Sequence, residues 1–318
     1  MNFTKMQGAG NDFIVINNMD NSIQLPAQLI EAMCRPHFGI GADGLILVEP
    51  SESCDVRMNY YNQDGSIAEM CGNGVRCLAK YAADAGIVDA SKPFEVETRA
   101  GKIGVQVLES YRGVSTIKVS MGSVSFETKD IPVISDKATL LGEKITYKNQ
   151  ELTYGCASMG NPHMAVLVEN VDSFPIEEVG PYFEKHAMFP NKCNISFAEV
   201  IIRMPVIVMV AKTEMVAPPM THCGMVVSRA ENLGTKPAIS STTAAKPKTT
   251  RLTTVAVLHR MGLVGSKVHA CLSGGDLVIE LDGNAVFMTG PAKVVFTGAY
   301  EMQVPNEEEA LFAALREL

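Results

Sequence analysis

The stretch Glu69-Met70-Cys71-Gly72-Asn73-Gly74-Val75-Arg76-Cys77 decides how this 318-residue chain is read. It follows a strand and turn, Tyr60-Tyr61-Asn62-Gln63-Asp64-Gly65, and opens a helical stripe of Val75, Leu78, Ala82 and Ala85 that Gly86 stops. Cys71 therefore stands at or just before a helix N-terminus, where unpaired backbone N–H groups and the helix dipole favour a thiolate. Gly72 and Gly74 leave the first-turn amides open to an anion. A cysteine is ordinarily a small buried apolar residue. Joined to a glycine-flanked helix start, it becomes a candidate nucleophile or base beside an anion cradle.

Outward from this motif the sequence repeats itself. Gly10-Asn11-Asp12-Phe13 is echoed by Gly160-Asn161-Pro162-His163, and Cys71-Gly72 by Cys223-Gly224. The spacings agree: 60 residues from Asn11 to Cys71 and 62 from Asn161 to Cys223. Gly86-Ile87-Val88 is echoed by Gly262-Leu263-Val264, and Thr98-Arg99-Ala100-Gly101 by Leu272-Ser273-Gly274-Gly275. Two copies of one domain follow: an N-terminal lobe at 1–125, a C-terminal lobe at 126–303 and a helical tail at 304–318. Most of the remaining pattern is short and β-rich, as at Phe13 to Ile16, Leu45 to Val48, Val56 to Tyr61, Phe94 to Thr98, Ile195 to Val200 and Val294 to Phe296. Helical spacing is confined to Ala27 to Cys34, Val75 to Ala85, Val255 to Met261 and the tail Glu307 to Leu318. The inventory is α+β with sheets predominating.

The second copy is longer than the first. From cysteine to later glycine, Cys71 to Gly101 spans 30 residues and Cys223 to Gly275 spans 52. The excess of about 22 falls near 234–252, where Thr, Ser, Lys and Pro read as a loop or insert. From 204 to 252 the chain holds five Met, five Pro and two acids, unlike its surroundings, and this points to an altered stretch of sequence. Counting back from Gly262 by the 15 residues that separate Cys71 from Gly86 reaches Pro247, not Cys223. The only thiol near either mark is Cys223. It is followed by a possible helical stripe of Val226, Val227, Ala230 and Leu233.

Composition excludes several function classes. Lys and Arg number 27 against 35 Asp and Glu, a formal charge of −8, with no basic stripe for nucleic acid. With 47 % apolar and 19 % charged residues the chain is an ordinary globule. No apolar run reaches the ~18 residues of a membrane span, and the N-terminus lacks a leader pattern, so a cytoplasmic location is expected. The eight cysteines lack paired CxxC spacing and the histidines lack ligand or triad spacing, so no metal is expected. Gly39-Ile40-Gly41-Ala42-Asp43-Gly44 is glycine-rich, but a strand pattern follows it, so it reads as a turn and not a dinucleotide loop. In the tail, Asn306 caps an acidic start and Leu311, Phe312, Leu315 and Leu318 form a stripe that docks on the body or on the second subunit of a homodimer.

Two thiols facing each other across a pseudo-two-fold axis suit one kind of chemistry. One thiolate takes a proton from a carbon acid while the opposite thiol delivers one to the other face, inverting the stereocentre. Helix N-termini hold the carboxylate and stabilise the developing charge. Thiols fit because their pKa, ~8.5, is readily tuned towards neutrality.

At this point the sequence resembles the diaminopimelate epimerase family, pyridoxal-independent two-cysteine enzymes of lysine and peptidoglycan precursor synthesis. The motifs are MQGAGNDF (Met6 to Phe13), FGIGADGL (Phe38 to Leu45), YNQDGSIAEMCGNGVRC (Tyr61 to Cys77), MGNPH (Met159 to His163), FPNKCNISF (Phe189 to Phe197) and MTGPAKVVFTG (Met288 to Gly298). The resemblance implies two homologous lobes, each a mainly antiparallel sheet wrapped around a central helix, with the active site in the cleft between them. It implies Cys71 and Cys223 as catalytic base and acid, no cofactor, and an amino-acid substrate held by Asn11, Asn62, Gly72, Asn73, Asn161, Asn194, Glu214 and Gly224. His163 joins the candidate contacts through MGNPH. The second cysteine motif departs from the family pattern: Met215 stands where an arginine is expected and Met225-Val226 where small residues are. That leaves less room for a carboxylate and removes a bidentate anion clamp. The rival readings are a racemase or isomerase for another amino acid on the same fold, or a non-catalytic relative with a degenerate second lobe.

Overall fold

The computed structural model describes the backbone of residues 1–203, 206–214, 223–228, 248–271 and 275–301, and the side chains of 1–199, 252–270 and 275–301. The tail and residues 229–247 of the insert region lie outside the described residues.

The first half runs β1 (Asn2–Gly8), β2 (Asn11–Asn17), α1 (Ala27–Cys34), β3 (Gly44–Glu49), β4 (Val56–Asn62), β5 (Ile67–Ala68), α2 (Gly72–Asp84), β6 (Phe94–Thr98), β7 (Gly101–Tyr111) and β8 (Val114–Ser123). After β9 (Leu141–Tyr147) the order returns as β10 (Gln150–Ser158), β11 (Pro162–Leu167), α3 (Ile176–Glu184), β12 (Asn194–Arg203), β13 (Val206–Glu214), β14 (Cys223–Ser228), α4 (Lys248–Arg260), β15 (Lys267–Cys271), β16 (Leu277–Asp282) and β17 (Ala285–Ala299). Pairing repeats with the order. β1 and β2 form an antiparallel hairpin, as do β10 and β11. β2 lies parallel to β3 across α1, and β11 parallel to β12 across α3. β3 and β4, like β12 and β13, are antiparallel. The two halves are joined where β17 pairs with both β1 and β8.

The glycines behind the sequence repeat share a backbone state that other residues adopt at a cost. Gly10 and Gly160 have φ of 86° and 95°, Gly86 and Gly262 of 67° and 75°, and Gly101 and Gly275 of 111° and 132°. Each pair turns the chain at the same place in its half, so the echoes in sequence record equivalent turns.

Each half is built around a helix that is buried well beyond one face. In α2 every residue from Gly72 to Lys80 is buried, and in α4 every residue from Leu252 to Leu258. A helix so enclosed needs apolar residues around its whole girth, and Val75, Leu78, Ala79, Val255, Val257 and Leu258 are each 0 % exposed. α2 packs against β1, β2, β8 and β17, and α4 against β10, β11 and β12. β3, an uninterrupted apolar run closing on Glu49, is buried at every position because α1 covers one face and the α2 core the other. No helix among the described residues is long and apolar enough to cross a membrane.

The strands expected at Phe94 to Thr98 and the helix at Ala27 to Cys34 have the bounds read from sequence. Two expectations are corrected, and one further helix is added. Residues 223–228 of the stretch after Cys223 form a strand, not a helix: Met225, Val226 and Val227 pair with Ala211, Val210 and Met209 of β13, as β-branched residues beside an apolar partner strand favour; Ala230 and Leu233 of the expected stripe lie outside the described residues. The insert does not reach 252, since α4 begins at Lys248. Thr249, Thr250, Thr253 and Thr254 are weak helix formers, and the burial of Leu252, Val255 and Val257 overrides them. α3 was not anticipated, because Gly180 and Pro181 interrupt its pattern; burial of Ile176, Val179 and Phe183 holds it.

Candidate active site

Cys71 is the N-cap of α2. Its backbone is extended at φ −144° and ψ 109°, and its Sγ accepts a hydrogen bond from the Gly74 amide at 3.2 Å. The sulfur takes the role usually played by a Ser or Asp oxygen, so the helix holds the thiol at the point of highest positive potential. The Tyr60 hydroxyl hydrogen-bonds the same side chain. Burial, with negative charge at Cys71 and Asp43 adding to it, pushes the Tyr60 phenol well above its usual value, so it remains a donor. Tyr60 fits because position 44 is glycine: a Cβ there would lie 2.7 Å from Tyr60 Cε2 and 2.5 Å from the Tyr61 carbonyl.

Burial pushes Cys34 up to about 12 and raises Cys156 and Cys193 well above the ordinary thiol value. These are inert packing residues.

Asn73, in the first turn of α2, donates from Nδ2 to Asn11 Oδ1 at 2.8 Å. Asn11 opens β2 and donates to Asp43 Oδ2 at 2.8 Å. Asn62 ends β4, opposite Gly44 in register, and donates to Ser66 Oγ at 3.0 Å. Gly72 packs closely, since a Cβ there would lie 2.5 Å from Met288 Cε. In the second half, Asn161 lies in the β10–β11 turn and its Oδ1 meets His163 Nε2 at 3.0 Å. Asn194 opens β12, opposite His163 in register, and donates to the Pro162 carbonyl at 3.1 Å. The structure thus brings Asn11 to Asn73, and Asn161 to the His163 ring opposite the Asn194 strand end; Asn11 and Asn161 occupy equivalent places in the two halves, whereas Asn73 lies on α2 and Asn194 at the start of β12.

His163 is 2 % exposed, and burial pushes its pKa down to about 4. It is neutral at pH 7, with Nε2–H donating to Asn161 and Nδ1 left without a partner. The Asn161 amide group therefore keeps both its donors.

Glu214, Cys223 and Gly224 are placed by backbone alone. Glu214 ends β13 opposite Ile195, Cys223 opens β14 opposite Thr213, and Gly224 faces Lys212. The strand in the position of β14 in the first half is β5, which precedes Cys71 by three residues. α4 has the 13-residue length of α2, and the residue before it in sequence is Pro247. The helix-start argument for Cys223 is therefore corrected.

Sequence reasoning passed over Arg76, Asp43 and Tyr60. Arg76 is 0 % exposed and donates to Asn73 Oδ1 at 2.8 Å and to the Pro291 carbonyl at 3.2 Å. An arginine in the apolar run Val75 to Ala79 was the signal available for it. No group of three or more potential metal ligands occurs among the described residues.

The site is thus a helix-capping thiol beside asparagine amides in a duplicated α+β fold. Three solved structures share the fold. They are a phenazine biosynthesis protein of the PhzF family from Bacillus anthracis (TM-score 0.58, 16 % identity, 95 % of this chain and 99 % of that one), a probable proline racemase from Agrobacterium radiobacter (0.54, 13 %, 97 % and 95 %) and a hydroxyproline epimerase from Agrobacterium vitis (0.54, 13 %, 94 % and 91 %). At such identities they speak to the fold alone. The sequence profile of the diaminopimelate epimerase family matches residues 3–127. The chain is 37 % identical to a diaminopimelate epimerase of Methanococcus maripaludis over 304 residues, 95 % of this chain and all of that one. It is 36 % identical to one of Acetivibrio thermocellus over 307 residues, 95 % and 99 %. The chain belongs to the diaminopimelate epimerase family.

Proposed function

We propose that the chain epimerises LL-2,6-diaminopimelate to the meso form without a cofactor, in a cytoplasmic setting and as a homodimer. The observation that carries this is Cys71, the sulfur cap of a buried helix, beside Asn73 and Asn11. Cys71 as thiolate takes the α-proton and becomes a thiol. The carbanion's charge spreads into the α-carboxylate, which the Gly72 and Asn73 end of α2 binds, and a thiol on the opposite face returns a proton and becomes the thiolate. Cys223 is assigned that second role, with Glu214 and Gly224 beside it as substrate contacts and Asn62, Asn161 and Asn194 completing the set. The division at about 125 into two lobes with the cleft between them belongs to the same reading.

A second reading is favoured by two observations, the strand that Cys223 opens and the proline at the position before α4. In it the second lobe is degenerate and the chain is a non-catalytic relative that binds the amino acid without exchanging its α-proton. Incubating reduced protein with LL-diaminopimelate in deuterium oxide separates the two. Deuterium at the α-carbon of the meso product supports epimerisation and overturns the second reading, no incorporation with tight binding of diaminopimelate supports the second reading and overturns the first, and neither incorporation nor binding overturns both.

A further inference from the structure

A chain of hydrogen bonds joins Arg76 to Asp43, and its direction is set at both ends. Arg76 Nη2 donates to Asn73 Oδ1, Asn73 Nδ2 to Asn11 Oδ1, and Asn11 Nδ2 to Asp43 Oδ2, each at 2.8 Å. An asparagine amide by itself can point either way. Between a guanidinium, which only donates, and a carboxylate, which only accepts, the two amides have one consistent arrangement. Turning Asn73 over would set its NH2 against the guanidinium and its oxygen against the Asn11 oxygen. Turning Asn11 over would set oxygen against the Asp43 carboxylate.

We infer that Arg76 and Asp43 are positioning residues that lock the amides of Asn11 and Asn73 in one orientation, so that each offers the ligand one remaining N–H and one remaining oxygen lone pair. The inference rests on the proposed reading that these asparagines hold an amino acid. A zwitterion carries a carboxylate to take the N–H and an ammonium to take the oxygen. An amide locked in place presents both without the cost of ordering it on binding.

The surroundings of the two end residues fit this role. Arg76 is wholly buried, and no carboxylate of the described residues lies within ion-pair distance of it; it donates to Asn73 Oδ1, to the Pro291 carbonyl and, at 3.4 Å and 3.6 Å, to the Gly72 carbonyl and Met288 Sδ. A buried guanidinium is costly unless its N–H groups are hydrogen-bonded, and the Asn73 amide oxygen is the nearest of the acceptors that hold it. Asp43 is itself braced, with the Asp12 amide donating to the same Oδ2 at 3.2 Å and its own amide donating to the Asp12 carbonyl at 3.0 Å. Lys5 Nζ in turn holds Asp12 at 2.7 Å. Both hydrogen bonds accepted by Asp43 fall on one oxygen, so an asparagine at 43 can still accept both, with the Asp12 amide fixing which end of its side chain faces Asn11.

The test compares Asp43→Asn with Asp43→Ala, and Arg76→Lys with Arg76→Met, reading KM and kcat for epimerisation, thermal midpoint, and solvent exchange of the Asn11 and Asn73 side-chain NH2 protons by NMR. Asp43→Asn should stay within about threefold of the parent KM. Asp43→Ala, which removes a charge-assisted acceptor, should raise KM about tenfold or more with kcat changed less, and should speed exchange of the Asn11 protons. Arg76→Lys should recover most of what Arg76→Met loses; if Arg76→Met fails to fold, the Asp43 pair decides. Equal KM and equal amide exchange in Asp43→Asn and Asp43→Ala would overturn the inference. Protected amides in the parent, exposed in Asp43→Ala, with no turnover of diaminopimelate by any form, would uphold the lock and overturn the substrate reading instead.

Discussion

Acidification should destabilise this protein through one imidazole. His163 is 2 % exposed, and burial moves its pKa from 6.5 down to about 4. Between those values the unfolded chain binds a proton that the folded chain does not, so the stabilising contribution is complete above pH 6.5 and is lost as pH falls towards 4. For one site with these two values the loss is about 2 kcal/mol on going from pH 7 to pH 5, and about 3 kcal/mol by pH 4. Geometry supports the sign, since an imidazolium would put a second N–H at Nδ1, where no partner awaits it. Urea unfolding followed by far-ultraviolet circular dichroism at pH 7, 6 and 5 measures the effect; with no tryptophan in the chain, indole fluorescence is not an option. His163→Gln keeps an N–H for Asn161 and has no charge to gain, so its stability should fall less over the same interval, by about 2 kcal/mol. Parallel pH curves for the parent and His163→Gln would refute the reasoning and mean that the buried ring takes up its proton at little cost.

Other outcomes follow from the site. Cys71→Ser should lower epimerisation by about 100-fold or more, the usual contribution of a positioned general base, while the hydroxyl still caps α2 and leaves the thermal midpoint nearly unchanged. Cys223→Ser should abolish inversion but retain α-deuterium exchange if Cys223 is the opposing acid; unchanged inversion would remove it from the mechanism. Gly44→Ala would bring a methyl group within 2.5 Å of the Tyr61 carbonyl and 2.7 Å of Tyr60 Cε2. It should cost about 1–3 kcal/mol by overpacking and lower turnover by shifting Tyr60 from Cys71. Gly262→Ala, at φ 75° with no atom near the new Cβ, should cost only about 1–2 kcal/mol of backbone strain, visible as a lower urea midpoint with unchanged KM.

Much of this was legible in the order of residues because its causes are local. Alternation marks a strand such as Phe94–Thr98, a stripe ending at Gly86 marks α2, and a cysteine before Gly-Asn-Gly marks a helix start. The duplication was legible as well, since equivalent turns need the same left-handed glycines at Gly10 and Gly160, and at Gly86 and Gly262. Where local preference and packing disagree, the sequence misled. The stripe Val226, Val227, Ala230 and Leu233 suits a helix on paper, yet residues 223–228 pair with β13. Thr, Ser, Lys and Pro suit a loop up to about 252, yet α4 begins at Lys248 and burial of Leu252 holds its first turns.

The sequence by itself determined the α+β class, the twofold repeat and the place of Cys71, because propensity, capping and turn chemistry act over a few residues. Only the tertiary structure decided which groups surround that thiol and in what state. Arg76 meets a carbonyl 215 positions away, Asp43 meets Asn11 across 32, and His163 is stripped of water by strands on either side. Burial and the direction of an amide hydrogen bond are set by what the fold brings near, and no window of sequence contains both partners.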